Sequence, residues 1–286
     1  MMKKVRVLVC LIFVLSCIVF GAYTVKTQLT QDKNAPVITF ESDEVQVSVK
    51  TATEDMMTGV SASDQEDGDL TEQIQIVSMS RIMSGGIRTV EYVVFDSANN
   101  FDKAERTIVY TDYVSPKIYF TEPLRYTENS FEMGEWPVQA TDVLDGDLTS
   151  KVRYTVNGMI DPYVPDKYSV TFLVNNSAGD TRSIDISVEI VDEEGEKERY
   201  YPVLSNYVVY TSVGKNIKTD KYVTGLENRD TVYEFGSEVI AGISAANVTI
   251  KSNVDYQTPG VYTVEYSYTT RNGVTATTTL YVVVEE

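Results

Sequence analysis

Two acidic octets hold the residues best suited to chemistry. Asp64-Gln65-Glu66-Asp67-Gly68-Asp69-Leu70-Thr71 returns 78 residues later as Asp142-Val143-Leu144-Asp145-Gly146-Asp147-Leu148-Thr149. Each concentrates three carboxylates: Asp64, Asp67 and Asp69 in the first, Asp142, Asp145 and Asp147 in the second. Calcium takes six to eight hard oxygens at roughly 2.3–2.6 Å, and short Asp-rich loops with a glycine supply them. Calcium is therefore the ion these residues would hold, although the acids do not follow the EF-hand spacing. The competing reading, which the local chemistry favours, is turn capping. Asp side chains accept hydrogen bonds from backbone N–H groups two residues on, and Gly68 and Gly146 supply positive φ.

Other chemistry is excluded by composition. The 286 residues contain no histidine, so there is no Ser–His–Asp triad, no Cys–His pair and no His-bearing zinc site. A glycosidase needs two acids about 5–9.5 Å apart across a cleft, and acids in the loops of small repeats offer none. The reading is no enzyme. Lys and Arg number 24 against 42 Asp and Glu, a net charge of −18, which argues against a nucleic-acid surface. With 43% hydrophobic and 10% aromatic residues, the chain can build cores and is not disordered.

The acidic loops must be exported before they can meet calcium, and the N-terminus addresses that. Lys3, Lys4 and Arg6 precede an uncharged apolar stretch from Val7 to Val25, about long enough to cross a hydrocarbon core of roughly 30 Å. The basic flank places the rest of the chain outside. An uncleaved anchor is the leading reading. A cleaved signal peptide is the second, with Val19 and Gly21 before a cut at Ala22. In the third, Val14-Leu15-Ser16-Cys17 acts as a bacterial lipobox and Cys17 is lipidated. Both cysteines, Cys10 and Cys17, lie in this segment. The exported part is thus free of thiols and disulfides, a composition in keeping with a bacterial surface protein. No second apolar segment precedes Glu286, so attachment is expected at the N-terminus.

Beyond it the pattern has period two. Ile184, Ile186, Val188 and Ile190 alternate with Asp185, Ser187 and Glu189, the signature of strands with one buried face. Internal similarity divides these strands into three copies. Phe95-Asp96-Ser97-Ala98-Asn99-Asn100 matches Asn175-Asn176-Ser177-Ala178-Gly179-Asp180. Thr89-Val90-Glu91-Tyr92 recurs as Thr263-Val264-Glu265-Tyr266, and Pro36, Pro116 and Pro202 mark the starts. The expected domains are a membrane segment, 1–27, and three β units, 35–112, 115–192 and 201–286. The junction around Tyr113 is short and restricts the angle there. The charged run Asp192–Arg199 is expected to be solvated and looser. The tyrosines Tyr262, Tyr266 and Tyr268 share one strand face with Val264, and that row reads as core. So does Trp136.

The octet D-x-x-D-G-D-L-T, the TVEY strand and the D-S-A-N-N hairpin together resemble bacterial immunoglobulin-like repeats. The match is to the DUF5011 type, also described as the pesticidal-crystal-protein-like Ig domain. The resemblance covers the first two copies nearly throughout and the second half of the third. It implies an all-β fold: three tandem Ig-like β-sandwich domains after one N-terminal transmembrane helix. In such a sandwich the octet neighbours Asp96 or Asn176, and Asp112 approaches the octet of the second domain, where a calcium would stiffen the tandem. The resemblance further implies surface-exposed modules without catalysis. The expected function is a cell-surface binding or adhesion module, with a protein or glycan ligand and the third domain as binder. The alternative is a structural spacer.

Overall fold

The computed structural model describes every residue except Met1, Gln31, Ser84, Asn129, Asp230 and Ala241, and only the backbone of residues 2–4, 27–30, 52 and 239. It opens with one helix, α1 (Met2–Thr30). Its apolar segment Val5–Lys26 is long and apolar enough to cross a membrane, and none of it is buried by the rest of the chain. Cys10 and Cys17 both lie exposed on it. The side chains of Lys3 and Lys4 lie outside the described residues.

Everything after α1 is built mainly from strands, arranged as six sheets in three pairs. The chain forms two compact units. The first comprises Met1–Val47, Thr51–Ser80 and Arg88–Val109, and the second comprises Ser48–Lys50, Arg81–Ile87 and Tyr110–Glu286.

The first pair of sheets uses β1 (Val37–Phe40), β2 (Glu44–Val47), β3 (Val60–Asp64), β4 (Gly68–Asp69), β5 (Gln75–Met79), β6 (Ile87–Phe95) and β7 (Phe101–Tyr110). Its sheets run β1-β3-β4 and β2-β7-β6-β5. Inward residues of both sheets meet in the core: Ile38, Val60 and Ala62 from one, Val90, Tyr92, Val94 and Ile108 from the other, all buried. Each fully buried aliphatic side chain contributes about 1.5–3 kcal/mol. The hydroxyl of Tyr92 donates to the Met56 carbonyl at 2.7 Å, so its polar end is satisfied.

The second unit holds the other two pairs. One uses β8 (Lys117–Phe120), β9 (Arg125–Thr127), β10 (Val138–Asp142), β11 (Gly146–Asp147), β12 (Arg153–Val156), β13 (Asp166–Asn175) and β14 (Thr181–Val191). The last pair uses β15 (Tyr201–Leu204), β16 (Val208–Ser212), β17 (Val223–Asn228), β18 (Thr231–Glu234), β19 (Thr249–Ser252), β20 (Gly260–Thr269) and β21 (Thr275–Glu285). Their sheets are β8-β10-β11 with β9-β14-β13-β12, and β15-β17-β18 with β16-β21-β20-β19. Strand order is therefore the same in all three pairs, including the third, whose sequence has lost the acidic octet. In β14 the alternation works as read: Ile184, Ile186, Val188 and Ile190 are buried. Tyr266 and Val264 are fully buried as well, and Tyr262 and Tyr268 pack on the same core. Trp136 sits edge-on to Phe172 and Tyr154 within the core cluster of the second pair.

One expectation fails in part. The run 192–199 keeps Glu193, Glu194, Lys197 and Glu198 in water, but it is not loose. Glu196 is buried, accepting from the Tyr201 hydroxyl at 2.7 Å and from Arg199 at 2.9 Å. Asn228 donates to the carbonyls of Glu196 and Arg199 at 3.1 and 2.7 Å. Beyond the linker, Val208 and Val283 join the core cluster of Ile118, Phe172 and Ile186. The Tyr210 hydroxyl accepts from the Ile118 N–H at 2.7 Å and donates to its carbonyl at 2.9 Å. Tyr281 accepts from the Ser187 N–H at 2.8 Å, and Arg182 bonds to Glu285 and to the Pro116 carbonyl. Arg199 pairs with Asp192 and Glu196, and apolar side chains close the joint behind them.

Candidate functional site

Each octet forms a tight hairpin whose geometry follows from its residue types. β3 ends at Asp64 and pairs back with Gly68, as β10 does through Asp142 and Gly146. The two glycines take φ of +79° and +73°, the left-handed region the turn requires. Asp64 Oδ1 accepts from the N–H groups of Glu66 and Asp67 at 2.8 and 2.9 Å. Asp142 Oδ1 accepts from Leu144 and Asp145 at 2.8 and 3.0 Å. Asp69 and Asp147 accept from the N–H groups of Thr71 and Thr149 at 3.0 and 2.9 Å. These bonds hold Asp64 below its usual pKa, chiefly through the Asp67 N–H. Asp69 and Asp147 are held low chiefly by bonding to the side chains, then the backbones, of Thr71 and Thr149.

The middle acids reach across to the neighbouring hairpin. Asp67 accepts from the Ser97 N–H and hydroxyl at 2.7 and 3.0 Å, and Asp145 accepts from those of Ser177 at 2.7 and 2.6 Å. The Ser177 hydroxyl is the main cause of the lowered pKa of Asp145, with Lys151 at 3.6 Å adding to it. The octets do lie beside the 96 and 176 hairpins. Yet neither brings its own three acids to one point, because all six are used as caps or ties, and in five of them no carboxylate oxygen is left buried without a donor.

The exception is Asp64. Among the described residues, one group of three acids has its ligand atoms within 4.8 Å of one another: Asp32, Asp64 and Asp96. Asp96 is only 7% exposed, and its carboxylate accepts from the Asn100 N–H and side-chain amide, each at 2.7 Å. The same Asn100 amide reaches the Asp32 carbonyl at 3.3 Å. Asp32 Oδ1 caps the Asn34 N–H at 2.9 Å. Oδ2 of Asp32 and Oδ2 of Asp64 are both buried, and neither accepts a hydrogen bond.

The second copy closes the corresponding place. Asn176 stands where Asp96 does, and its amide donates to Asp142 Oδ2 at 3.2 Å and to the Tyr113 hydroxyl at 2.8 Å. Tyr113 in turn donates to Asp180 at 2.6 Å, and burial, then Asp180, push its pKa upward. Asp112 forms no hydrogen bond with this octet among the described residues. It accepts from the Ser48 hydroxyl at 2.7 Å and the Val49 N–H at 2.8 Å, and Tyr113 reaches the 176 hairpin in its stead. Sequence reasoning named Asp112 and overlooked Asp32, although both stand four residues before a repeat-opening proline, Pro36 and Pro116.

Exposed apolar side chains gather elsewhere. The segment between β12 and β13 presents Met159, Tyr163 and Val164 at 80, 69 and 47% exposure. The segment is ordered: Tyr168 donates to the carbonyls of Asp161 and Val164 at 3.2 and 3.1 Å, Asp161 caps the Tyr163 N–H at 3.0 Å, and Ile160 is buried beneath.

No family model matches the chain. It is 30% identical over 162 residues to the pesticidal crystal protein Cry22Aa of Bacillus thuringiensis, a match over 53% of this chain and 20% of that protein. The chain thus spans about a fifth of that relative's length. Similar solved structures include CBM51-2, in complex with GlcNAc, and the INT domains of Clostridium perfringens ZmpB. That match has a TM-score of 0.23 and 12% identity, over 55% of this chain and 42% of that one. Drosophila N-cadherin EC1–4 matches with a TM-score of 0.23 and 13% identity over 72% and 59%. The lipoprotein BT2262 of Bacteroides thetaiotaomicron matches with a TM-score of 0.24 and 11% identity over 58% and 98%.

Proposed function

We propose that the chain is a non-enzymatic binding module of the cell surface. It is held in the membrane by α1 as a single-pass anchor, with its domains at 35–112, 115–192 and 201–286 on the outside. The observation that carries the binding reading is the ordered 157–165 segment, which holds Met159, Tyr163 and Val164 in water. Exposed apolar groups on a fixed backbone lower their free energy when a partner covers them. This moves the binding surface away from the third domain. The tyrosines that drew attention there are packed against its own core. The ligand class is protein or glycan at the cell surface, since both are recognised through such side chains.

A spacer without a ligand is the second reading. It is favoured by the joint between the second and third sheet pairs, where Tyr210 to Ile118, Tyr281 to Ser187 and Arg182 to Glu285 lock one to the other. The two readings separate in one experiment. The full chain is reconstituted in liposomes, which are applied to purified cell-wall polysaccharides and matrix proteins. Saturable binding that Met159→Ser with Tyr163→Ser abolishes establishes the binding module. Absence of binding across the panel leaves the spacer.

A further inference from the structure

We propose that Asp32, Asp64 and Asp96 form a calcium site that ties the segment after α1 to the first β-sandwich. The inference is independent of which surface function the chain performs. Three observations carry it.

First, the ligand atoms of the three acids all lie within 4.8 Å of one another. That is close enough for all three to reach one ion coordinated at about 2.4 Å, and carboxylate oxygens are the hard ligands calcium takes.

Second, Oδ2 of Asp32 and Oδ2 of Asp64 are buried and accept no hydrogen bond, while every other oxygen that caps or ties in these loops has a donor. Buried carboxylate oxygens are satisfied by donors or by a metal. Like charges this close disfavour each other unless a cation lies between them. No lysine or arginine forms an ion pair with any of the three among the described residues.

Third, the chain contains its own control. Where the first hairpin has a carboxylate at Asp96, the second has the amide of Asn176, which donates to the Oδ2 of Asp142. One repeat supplies its own hydrogen to the inward oxygen, and the other leaves that oxygen to an external cation. Asp32, Asp64 and Asp96 thus provide three anionic oxygens, with solvent completing the shell, as weak extracellular calcium modules allow. Because Asp32 lies between α1 and β1, the ion would order the approach of the first sandwich to the membrane segment.

The test is isothermal calorimetry of the full chain in non-ionic detergent, titrated with calcium chloride, together with thermal unfolding in calcium and in chelator. One calcium is expected to bind with a Kd of about 0.1–1 mM, and calcium raises the unfolding temperature of the first sandwich. Asp96→Asn imports the second repeat's chemistry and should abolish the heat of binding while keeping or raising stability in chelator. Asp32→Asn, in a segment outside the sheets, should weaken binding at least tenfold with the circular dichroism unchanged. Asp142→Asn should leave binding intact. No heat up to 10 times that Kd range, or binding that survives both Asp96→Asn and Asp32→Asn, overturns the proposal. So does a loss on Asp142→Asn equal to that on Asp96→Asn.

Discussion

The Arg125 guanidinium sits over the ring of Tyr201, its Cζ 3.3 Å from the ring centroid. The side chain is 10% exposed, with Glu189 and Glu227 at 3.9 and 3.8 Å and the Thr278 hydroxyl accepting at 3.2 Å. One cation therefore binds residues of β14, β15, β17 and β21 at the joint of the second and third sheet pairs. A desolvated cation–π contact contributes about 2 kcal/mol. Removing this arginine also takes an ion-pair partner from Glu189 and from Glu227. Arg125→Ala is expected to cost about 2–4 kcal/mol, and a double-mutant cycle with Tyr201→Leu should return a coupling of about 2 kcal/mol. Urea unfolding followed by fluorescence of Trp136, the chain's single tryptophan, reads both.

Tyr210 does at Ile118 what a neighbouring strand would do. Its hydroxyl serves both the N–H and the carbonyl of one residue on the edge strand β8, and its ring packs on the shared core. Tyr210→Phe keeps the ring and leaves two backbone groups without partners. The cost should be about 1–3 kcal/mol, larger than for Tyr92→Phe, which frees a single carbonyl. Comparing the two variants by denaturant unfolding checks the order.

What the sequence made legible was local or repeated. Period-two alternation gave β14 and β20 their buried faces. The octets betrayed their hairpins because Asp and Gly at those spacings have few other uses, and the resemblance to Ig-like sandwiches set the octets beside the 96 and 176 hairpins. The third copy kept its strand order without the octet, since burial of alternating residues, not the acidic turn, dictates it. The joint between the second and third pairs was illegible because its contacts join residues far apart, Arg125 to Thr278 for example. A charged linker reads the same whether its charges face water or one another. Asp32 escaped because a lone acid ahead of a proline has no pattern until its counterpart Asp112 is set beside it.

Gly225 is needed for closeness, not for turning. A Cβ there would stand 2.4 Å from the Tyr233 carbonyl oxygen and 3.2 Å from the Cα of Glu234, both on the paired strand β18. Backbone cannot yield as a side-chain tip does. Gly225→Ala is expected to cost about 1–3 kcal/mol and to loosen the β17–β18 pairing. Amide hydrogen exchange should show faster exchange at Leu226 and Tyr233 than in the unaltered chain.

The tie between Asp145 and Ser177 fixes the sign of a pH effect. The Ser177 hydroxyl and N–H bond to the ionised carboxylate, so the folded-state pKa of Asp145 lies below its unfolded value. Protons then bind the unfolded chain more readily than the folded one, and stability gained from this group rises with pH. The contribution is fully present above the unfolded Asp pKa of about 3.9 and is lost as pH falls through the folded value. Ser177→Ala removes the largest cause of the shift and retains the backbone donor. The variant should therefore be less stable than the parent at pH 7, and the difference should shrink as the pH is lowered below about 4. Thermal unfolding of both chains from pH 7 down to pH 3 gives the comparison. Lys151→Ala should reproduce a smaller part of the same effect, one that weakens with added salt because that lysine is 57% exposed. A gap between Ser177→Ala and parent that stays constant through the acid range would mean that the serine acts by packing and not through the charge of Asp145.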